Sequence, residues 1–325
     1  MSQDDLLSVV KGFVPELSFD MHKGQSARIG VLGGCREYTG APYYAAMSAL
    51  RTGADLAHVF CTGGAAGPIK TYSPDLIVHP VIPDGCAIDV KACLDAVTKW
   101  FSALDVLVVG PGLGRDESVL AVASQVVEKA VEAHLLLVID GDGLWMISHN
   151  LKLVSGKRDV ILTPNMAEYS RLAAAVAGRD PAEAKATDAV PDVKELASKL
   201  GGVTILQKGA RSAHGADVIS DGTVALVCDE MGAPRRCGGQ GDVLAGCTAT
   251  FFAWARKKKN ASEEAVLPAH AAYGAAALTR KSAAIAFESL KRSMLTTDII
   301  QCIGDTFESL YDPEAFHAHD EDEDE

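Results

Sequence analysis

The sequence predicts an α/β protein, a three-layer α/β/α sandwich with a mainly parallel central sheet. Three observations carry this reading. Continuous apolar runs of strand length recur along the chain, helical stretches separate them, and turns rich in glycine, carboxylate or amide groups follow several runs directly. An apolar run without polar alternation is what a strand covered on both faces by helices requires. Repeated strand–helix–strand units then imply parallel neighbours joined by right-handed crossovers.

The first strand is Ile29 to Leu32, ending in Gly33-Gly34. Ala41 to Leu50 reads as a helix, with Pro42 tolerated in its first turn and Gly53 as its stop. Leu56 to Phe60 and Leu76 to His79 read as buried strands. Val106 to Val109, Leu135 to Ile139 and Val160 to Leu162 follow, with an amphipathic helix from Glu117 to Ala133 between the first two. The Ala-, Pro- and Asp-rich stretch from Gly178 to Asp192 is expected to be a surface insertion. Thr204 to Gln207, Ala216 to Ser220 and Thr223 to Cys228 are short strands, and Asp221-Gly222 predicts a hairpin turn between the last two. From Asp242 to about Cys302 the chain reads as mostly helical.

Composition narrows the class. The chain has 325 residues, 48 % hydrophobic and 22 % charged, which suits a globular protein with a sizeable core. Its formal net charge is −13, so it has no general attraction for nucleic acid or anionic membranes. Part of that charge lies in the run from His319 to Glu325, expected to be solvated and disordered. The expected organisation is an N-terminal segment over 1–20, one catalytic domain over 21–310 and an acidic tail over 311–325. Eight cysteines include no C-x-x-C pair and no zinc-ligand spacing, which fits a reducing compartment. The N-terminus lacks a basic region followed by an apolar core, and no run approaches the length of a membrane span. A cytoplasmic protein is expected, and a homo-oligomer is left open.

Five motifs are suited to chemistry. Gly238-Gly-Gln-Gly-Asp242 opens a helix, and its glycines let backbone N–H groups approach an anion such as the phosphates of ATP. A carboxylate there would repel that anion. Asp242 therefore reads either as a plain helix cap or as the base that takes a proton from an attacking hydroxyl. Asn165 and Glu168 follow a strand and share a helix face. They read either as a capping pair or, for Glu168, as a holder of water on Mg²⁺. Gly110 to Arg115 is a glycine-rich turn without dinucleotide-fingerprint spacing, suited to wrapping a ligand or to a tight turn alone. Asp140-Gly-Asp-Gly143 could orient a sugar or a metal-bound water, or simply turn the chain. Lys208 could meet an ATP phosphate or be a solvated lysine.

Asn165-x-x-Glu168 and Gly239-Gln-Gly-Asp242, in that order, resemble the paired motifs of the ribokinase-like kinases. A closer resemblance is to the ATP-dependent NAD(P)H-hydrate dehydratases. It runs from about His22 to Ile300 and rests on His22 to Gln25, Gly30 to Tyr43, Lys70 to Pro80, Gly110 to Arg115, Leu162 to Asn165 and Arg235 to Asp242. It implies a ribokinase-like fold and ATP-dependent dehydration of the S form of hydrated NADH or NADPH, with Mg²⁺ as cofactor and ADP and phosphate as products. Gly112, Asn165, Met166, Ala167, Glu168, Tyr169, Ser170 and Arg171 would contact the hydrated dinucleotide. Lys208, Gly209, Ala210, Arg211 and Ser212, with Gly232, Ala233, Pro234, Arg235, Arg236, Cys237, Gly238, Gly239, Gln240 and Gly241, would contact ATP. Asp242 would meet the reacting hydroxyl, and Glu168 would hold the metal through water. The epimerase that interconverts the R and S hydrates, fused in many bacterial relatives, is expected as a separate protein. The alternative is a kinase of the same fold acting on a vitamin precursor or a sugar alcohol.

Overall fold

A computed structural model describes residues 2–83, 89–185, 191–210, 215–261 and 267–311. In chain order its elements begin α1 (Gln3–Lys11), β1 (Arg28–Leu32), α2 (Gly40–Thr52), β2 (Leu56–Thr62), α3 (Gly63–Tyr72), β3 (Ile77–Ile82) and α4 (Val90–Thr98). Then come β4 (Val106–Val109), α5 (Glu117–Glu132), β5 (Leu136–Ile139), α6 (Gly141–His149), β6 (Val160–Leu162), α7 (Met166–Val176) and α8 (Val193–Lys199). The chain continues through β7 (Thr204–Gln207), β8 (Asp217–Ser220), β9 (Ala225–Cys228), α9 (Gln240–Ala261), α10 (Pro268–Leu290), α11 (Thr296–Gln301) and α12 (Ile303–Tyr311). The acidic tail, part of the 178–192 insertion, and Arg211 and Ser212 lie outside the described residues.

The strands form one nine-stranded sheet in the order β3-β2-β1-β4-β5-β6-β7-β8-β9. Pairing is parallel from β3 through β7 and antiparallel across β7, β8 and β9. The three layers follow from side-chain alternation along the strands. Ile29, Val31, Val106, Val108, Leu136, Val138, Ile161 and Leu206 face one core layer with α1, α2, α9, α10 and α12. Leu32, Leu107, Val109, Leu137, Ile139, Val160, Leu162 and Ile205 face the other, with α4, α5, α6, α7 and α8. Strands without polar alternation were expected from such two-sided cover.

β3 departs from the buried strand expected at 76–79. It is an edge strand in which only Val78 and Ile82 are buried, and it contains Pro80. Proline has no N–H to give a second neighbour, so the edge is where it fits. The expected stop of α2 at Gly53 is present, with φ +120° in the left-handed region. α1, by contrast, was not expected, although Ser2-x-x-Asp5 before Leu6 has the spacing of a capping box. Ser2 caps it and Leu6, Val10 and Phe13 are buried in the core.

α9 packs between α2 and α10. Gly246 lies against Ala45 and Ser48 so closely that any side chain there would collide with the Ala45 carbonyl. Ser48 Oγ donates to Val243 O at 3.2 Å, and Thr250 Oγ1 donates to Ala49 O at 3.2 Å. These contacts fix the helix whose N-terminus carries Asp242.

Candidate active site

The strand order reverses between β1 and β4, where open α/β sheets leave a crevice outside the strand carboxyl ends. Gly34 N donates to Pro111 O at 3.0 Å across it. The turns after β4, β5, β6 and β7 therefore stand side by side and carry Gly110–Arg115, Asp140–Gly143, Thr163–Asn165 and Lys208–Gly209. Sequence reading found these motifs one by one, and the sheet order brings them together.

Asp140 and Lys208 form the floor. Lys208 Nζ donates to Asp140 Oδ1 at 2.6 Å, and both side chains are largely buried. Thr163 Oγ1 donates to the same oxygen at 2.8 Å. Lys208 is thus not a solvated lysine. Burial works against its charge, but Asp140, Glu168 and Asp242 together raise its pKa. Asp142 is held differently: its carboxylate accepts from Gly114 N at 3.0 Å and Arg115 Nε at 3.1 Å, which ties the β4 and β5 turns together.

The N-terminus of α9 lies over this floor. A side chain at Gly241 would begin 3.1 Å from Lys208 Nζ and 3.8 Å from Asp140 Oδ2, so the helix start lies close over the pair and any side chain there would push the ammonium aside. Gly239 has φ +99° and packs against Tyr44 and Thr296. Thr296 Oγ1 donates to Gly238 O at 2.6 Å, anchoring the turn to α11. Asp242 is the third residue of α9, and its carboxylate accepts no hydrogen bond among the described residues. Burial, reinforced by Asp140 and opposed by Lys208, pushes its pKa up to about 8.

At the start of α7, Asn165 and Glu168 form a full capping box. Asn165 Oδ1 accepts from the N–H groups of Ala167 and Glu168 at 3.0 Å each, and Glu168 Oε2 accepts from Asn165 N at 2.8 Å. Burial raises the Glu168 pKa, with Lys208 opposing and Asp140 adding to the rise. Met166 Sδ accepts from Gln207 Nε2 at 3.7 Å. Tyr169 and Ser170 do not face the site. Tyr169 is fully buried and its hydroxyl donates to Pro191 O at 2.9 Å, while Ser170 Oγ bonds Met166 O at 3.0 Å. Their side chains are core and helix contacts, because at 3.6 residues per turn a helix that begins at the rim carries part of each turn onto the core. Gly112, φ +59°, sits directly beneath the Tyr38 carbonyl.

On the α9 side, Gly209 N donates to Asp217 Oδ1 at 2.7 Å and Ala210 N to Ala216 O at 2.8 Å. Asp217 is in turn held by Arg280 at 3.3 Å, and Arg280 also lies beside Gly232. The Arg236 guanidinium reaches over the turn, 3.8 Å from where a side chain at Gly209 would begin. Arg235 Nε donates to Met294 O at 2.8 Å, and Gln240 Nε2 to Arg235 O at 3.2 Å. Ala233 and Cys237 rest on the core, and Pro234 is exposed. Thr163, Asp217, Arg280, Tyr44 and Thr296 were not singled out from sequence. Only Thr163, next to the Pro164-Asn165 motif, had a local signal.

The arrangement is a buried cation ringed by carboxylates beneath a glycine-rich helix start. It suits transfer of a charged group to a hydroxyl. A family model described as NAD(P)H-hydrate dehydratase matches residues 29–304. A protein of Vitis vinifera named ATP-dependent (S)-NAD(P)H-hydrate dehydratase is 45 % identical over 318 residues, covering 94 % of this chain and 88 % of that protein. The Homo sapiens protein of that name is 44 % identical over 313 residues, covering 95 % and 85 %. Among solved structures, a Bacillus subtilis ADP/ATP-dependent NAD(P)H-hydrate dehydratase co-crystallized with ATP/Mg²⁺ aligns with TM-score 0.65 at 20 % identity, over 94 % of this chain and 97 % of that one. A ribokinase-like superfamily protein of Enterococcus faecalis aligns with TM-score 0.69 at 21 % identity, over 94 % and 95 %. These two likenesses establish the ribokinase-like fold.

Proposed function

The chain belongs to the NAD(P)H-hydrate dehydratase family, and from that premise we propose that it uses ATP to dehydrate the S form of hydrated NADH and NADPH, giving NAD(P)H, ADP and phosphate. One observation carries the reading. Asp242, a carboxylate without a hydrogen-bond partner among the described residues, stands at the N-terminus of a 22-residue helix above the Lys208–Asp140 pair.

In the first step Asp242 accepts the proton of the ring hydroxyl as the hydroxyl oxygen attacks the γ-phosphorus and the bond to ADP breaks. The N–H groups at the start of α9 and the Lys208 ammonium meet the phosphate charge. Asp140 holds that ammonium in place, and Thr163 holds Asp140. In the second step the ring nitrogen lone pair expels phosphate, a far better leaving group than hydroxide. Loss of a proton from the neighbouring ring carbon restores the double bond. The β7 turn with the 232–241 loop takes ATP in this reading. Gly112 and the start of α7 take the hydrated dinucleotide, with Tyr169 and Ser170 contributing backbone only.

Magnesium belongs to the proposal as well. Among the described residues no group of three or more His, Cys, Asp or Glu side chains could hold a metal by itself. That fits an ion which keeps several waters and binds through one or two carboxylates and substrate phosphates. Glu168 uses Oε2 in its capping box and has Oε1 without a hydrogen bond among the described residues, available to a metal-bound water. When bound, the ion would neutralise phosphate charge.

A separate epimerase would supply the S hydrate from the R form. Six cysteines other than Cys61 occur as free thiols among the described residues, which supports work in the reducing cytoplasm. Among those residues no helix is long and apolar enough to cross a membrane.

The test is to incubate the protein with ATP, Mg²⁺ and hydrated NADH while following near-ultraviolet absorbance. Return of NADH absorbance with one ADP per NADH is expected. A phosphorylated product that accumulates without NADH would instead indicate a small-molecule kinase of the same fold.

A further inference from the structure

On the helix layer opposite α9, the Trp145 indole meets two guanidinium groups and the His149 ring, whose centroid is 4.3 Å from its own. Arg115 Cζ is 4.3 Å from the Trp145 ring centroid and Arg171 Cζ is 5.7 Å from it. The three residues come from the turn after β4, from α6 and from α7. They therefore flank the turns that carry Asp140 and Asn165. The two arginines differ in state. Arg115 is held by Asp142 at 3.1 Å, and Asp142 is itself fixed by Gly114 N. Arg171 makes no ion pair and no hydrogen bond from its guanidinium among the described residues, although it is half-buried. It lies three residues beyond Glu168, close enough for its charge to favour the ionised form of that carboxylate.

A half-buried guanidinium stacked on an aromatic ring and lacking a carboxylate is a receptor for an anion carried beside a planar group. The position matches a long ligand. Trp145 is five residues past Asp140, which along a helix is about 7–8 Å. A dinucleotide whose reduced ring reacts at Asp242 extends much further than that. ATP, in the reading above, enters from the α9 layer, so the dinucleotide has this opposite layer for its remote half.

We propose that Arg115, Trp145 and Arg171 form the recognition face for the adenosine end of the hydrated dinucleotide. The adenine stacks on the exposed face of the Arg115 guanidinium, whose other face is backed by the indole. Arg171 pairs with a phosphate oxygen, either of the diphosphate bridge common to both cofactors or of the 2′-phosphate found only in the NADP form. This assignment rests on the substrate reading above. It adds Arg115 and Trp145 to the residues that the family resemblance implied, and makes Arg171 the anion contact. Binding energy gathered there positions the reacting ring without touching it.

The experiment compares wild type with R171Q, R171K and W145F, using hydrated NADH and hydrated NADPH in turn. R171Q is expected to raise KM by about tenfold or more, the worth of a charge-assisted hydrogen bond, with a smaller change in kcat. R171K should recover part of the loss, since lysine keeps the charge but not the planar fork. A KM rise equal on both hydrates assigns the contact to the diphosphate bridge, and a rise confined to the NADPH hydrate assigns it to the 2′-phosphate. Both support the proposal. Unchanged KM on both hydrates in folded R171Q and W145F overturns it. Direct titration with intact NADPH, read by tryptophan fluorescence, separates this inference from the activity. Binding that weakens in R171Q sustains the recognition face even if wild type turns over no hydrate, whereas turnover without any Arg171 or Trp145 dependence removes the face and leaves the activity.

Discussion

The starts of α7 and α9 place an acidic residue at the same third helical position and treat it in opposite ways. Glu168 reaches back to the N–H of Asn165 and closes a capping box. Asp242 makes no such return and accepts no hydrogen bond among the described residues. Burial raises the pKa of both, and Asp242 reaches about 8. A capping carboxylate is tied to the stability of its helix. A carboxylate held without a cap at the positive end of a helix, and still costly to ionise, is poised to accept a proton. Sequence alone leaves Asp242 open as cap or base and Glu168 open as cap or holder of metal-bound water; Glu168 makes its capping bond and Asp242 makes none among the described residues.

The sharpest way to break the comparison is D242N. It keeps the side-chain size but cannot take the proton, so turnover should fall about 10²–10⁴-fold with folding intact. ATP affinity should hold or rise, because a negative charge near the phosphates is gone. E168Q keeps the capping box and loses only the charge, so its loss should be nearer 10–100-fold, as for a group acting through metal-bound water. Equal losses, measured by single-turnover kinetics, would mean the two helix starts are not distinguished as argued.

Next in size is the pH profile. A base must be ionised to act, so kcat/KM should rise with pH through about 8 and level above it, the value to which Asp242 is raised. In D242N that limb should be absent. Stability should move the other way. The folded pKa of Asp242 lies above its ordinary value of 3.8, so the folded state keeps a proton that the unfolded chain releases. This group therefore lowers stability progressively as pH rises from about 4 to about 8. D242N escapes that loss and should be more stable than wild type at pH 8 by about 1 kcal/mol or more, seen in denaturant melts. N165A should do the reverse and cost about 1 kcal/mol through the lost cap. The smallest effect belongs to E168Q, whose stability should stay within about 0.5 kcal/mol because glutamine preserves the capping box.

Much of this was legible in the sequence because the fold puts its chemistry in turns directly after apolar strands. The runs ending at Val109, Ile139, Leu162 and Gln207 each announce the motif that follows, and the glycines around Asp242 announce a helix start. The partners that hold those motifs were not legible. Arg280 on Asp217 and Thr296 on Gly238 meet through tertiary packing, with separations of 63 and 58 residues and no shared local pattern, while Thr163, although next to the Pro164-Asn165 motif, reaches Asp140 across 23 residues. Tyr169 misled for a related reason. It lies within the motif by number, yet helical rotation sends its ring to the core. β3 was misread as buried because an apolar run does not distinguish an edge strand from a central one, although Pro80 was a signal for the edge.

The packing of α9 has a consequence for how the chain is made. Its seat is on α2, nearly 200 residues earlier, and α10 closes over it. Gly274 of α10 receives Val10 of α1 on one side, while Tyr311 donates to the Gly274 carbonyl at 2.7 Å. α1 thus docks on a surface built by residues that come much later in the chain. Until then the apolar faces of α1 and α2 lack their partners. Folding must close late and over long sequence separations, which is slow and exposes the nascent chain to aggregation. The same helix that carries Asp242 is the one whose arrival completes the core, so a chain truncated before Gln240 would lack both that carboxylate and the cover for its first half.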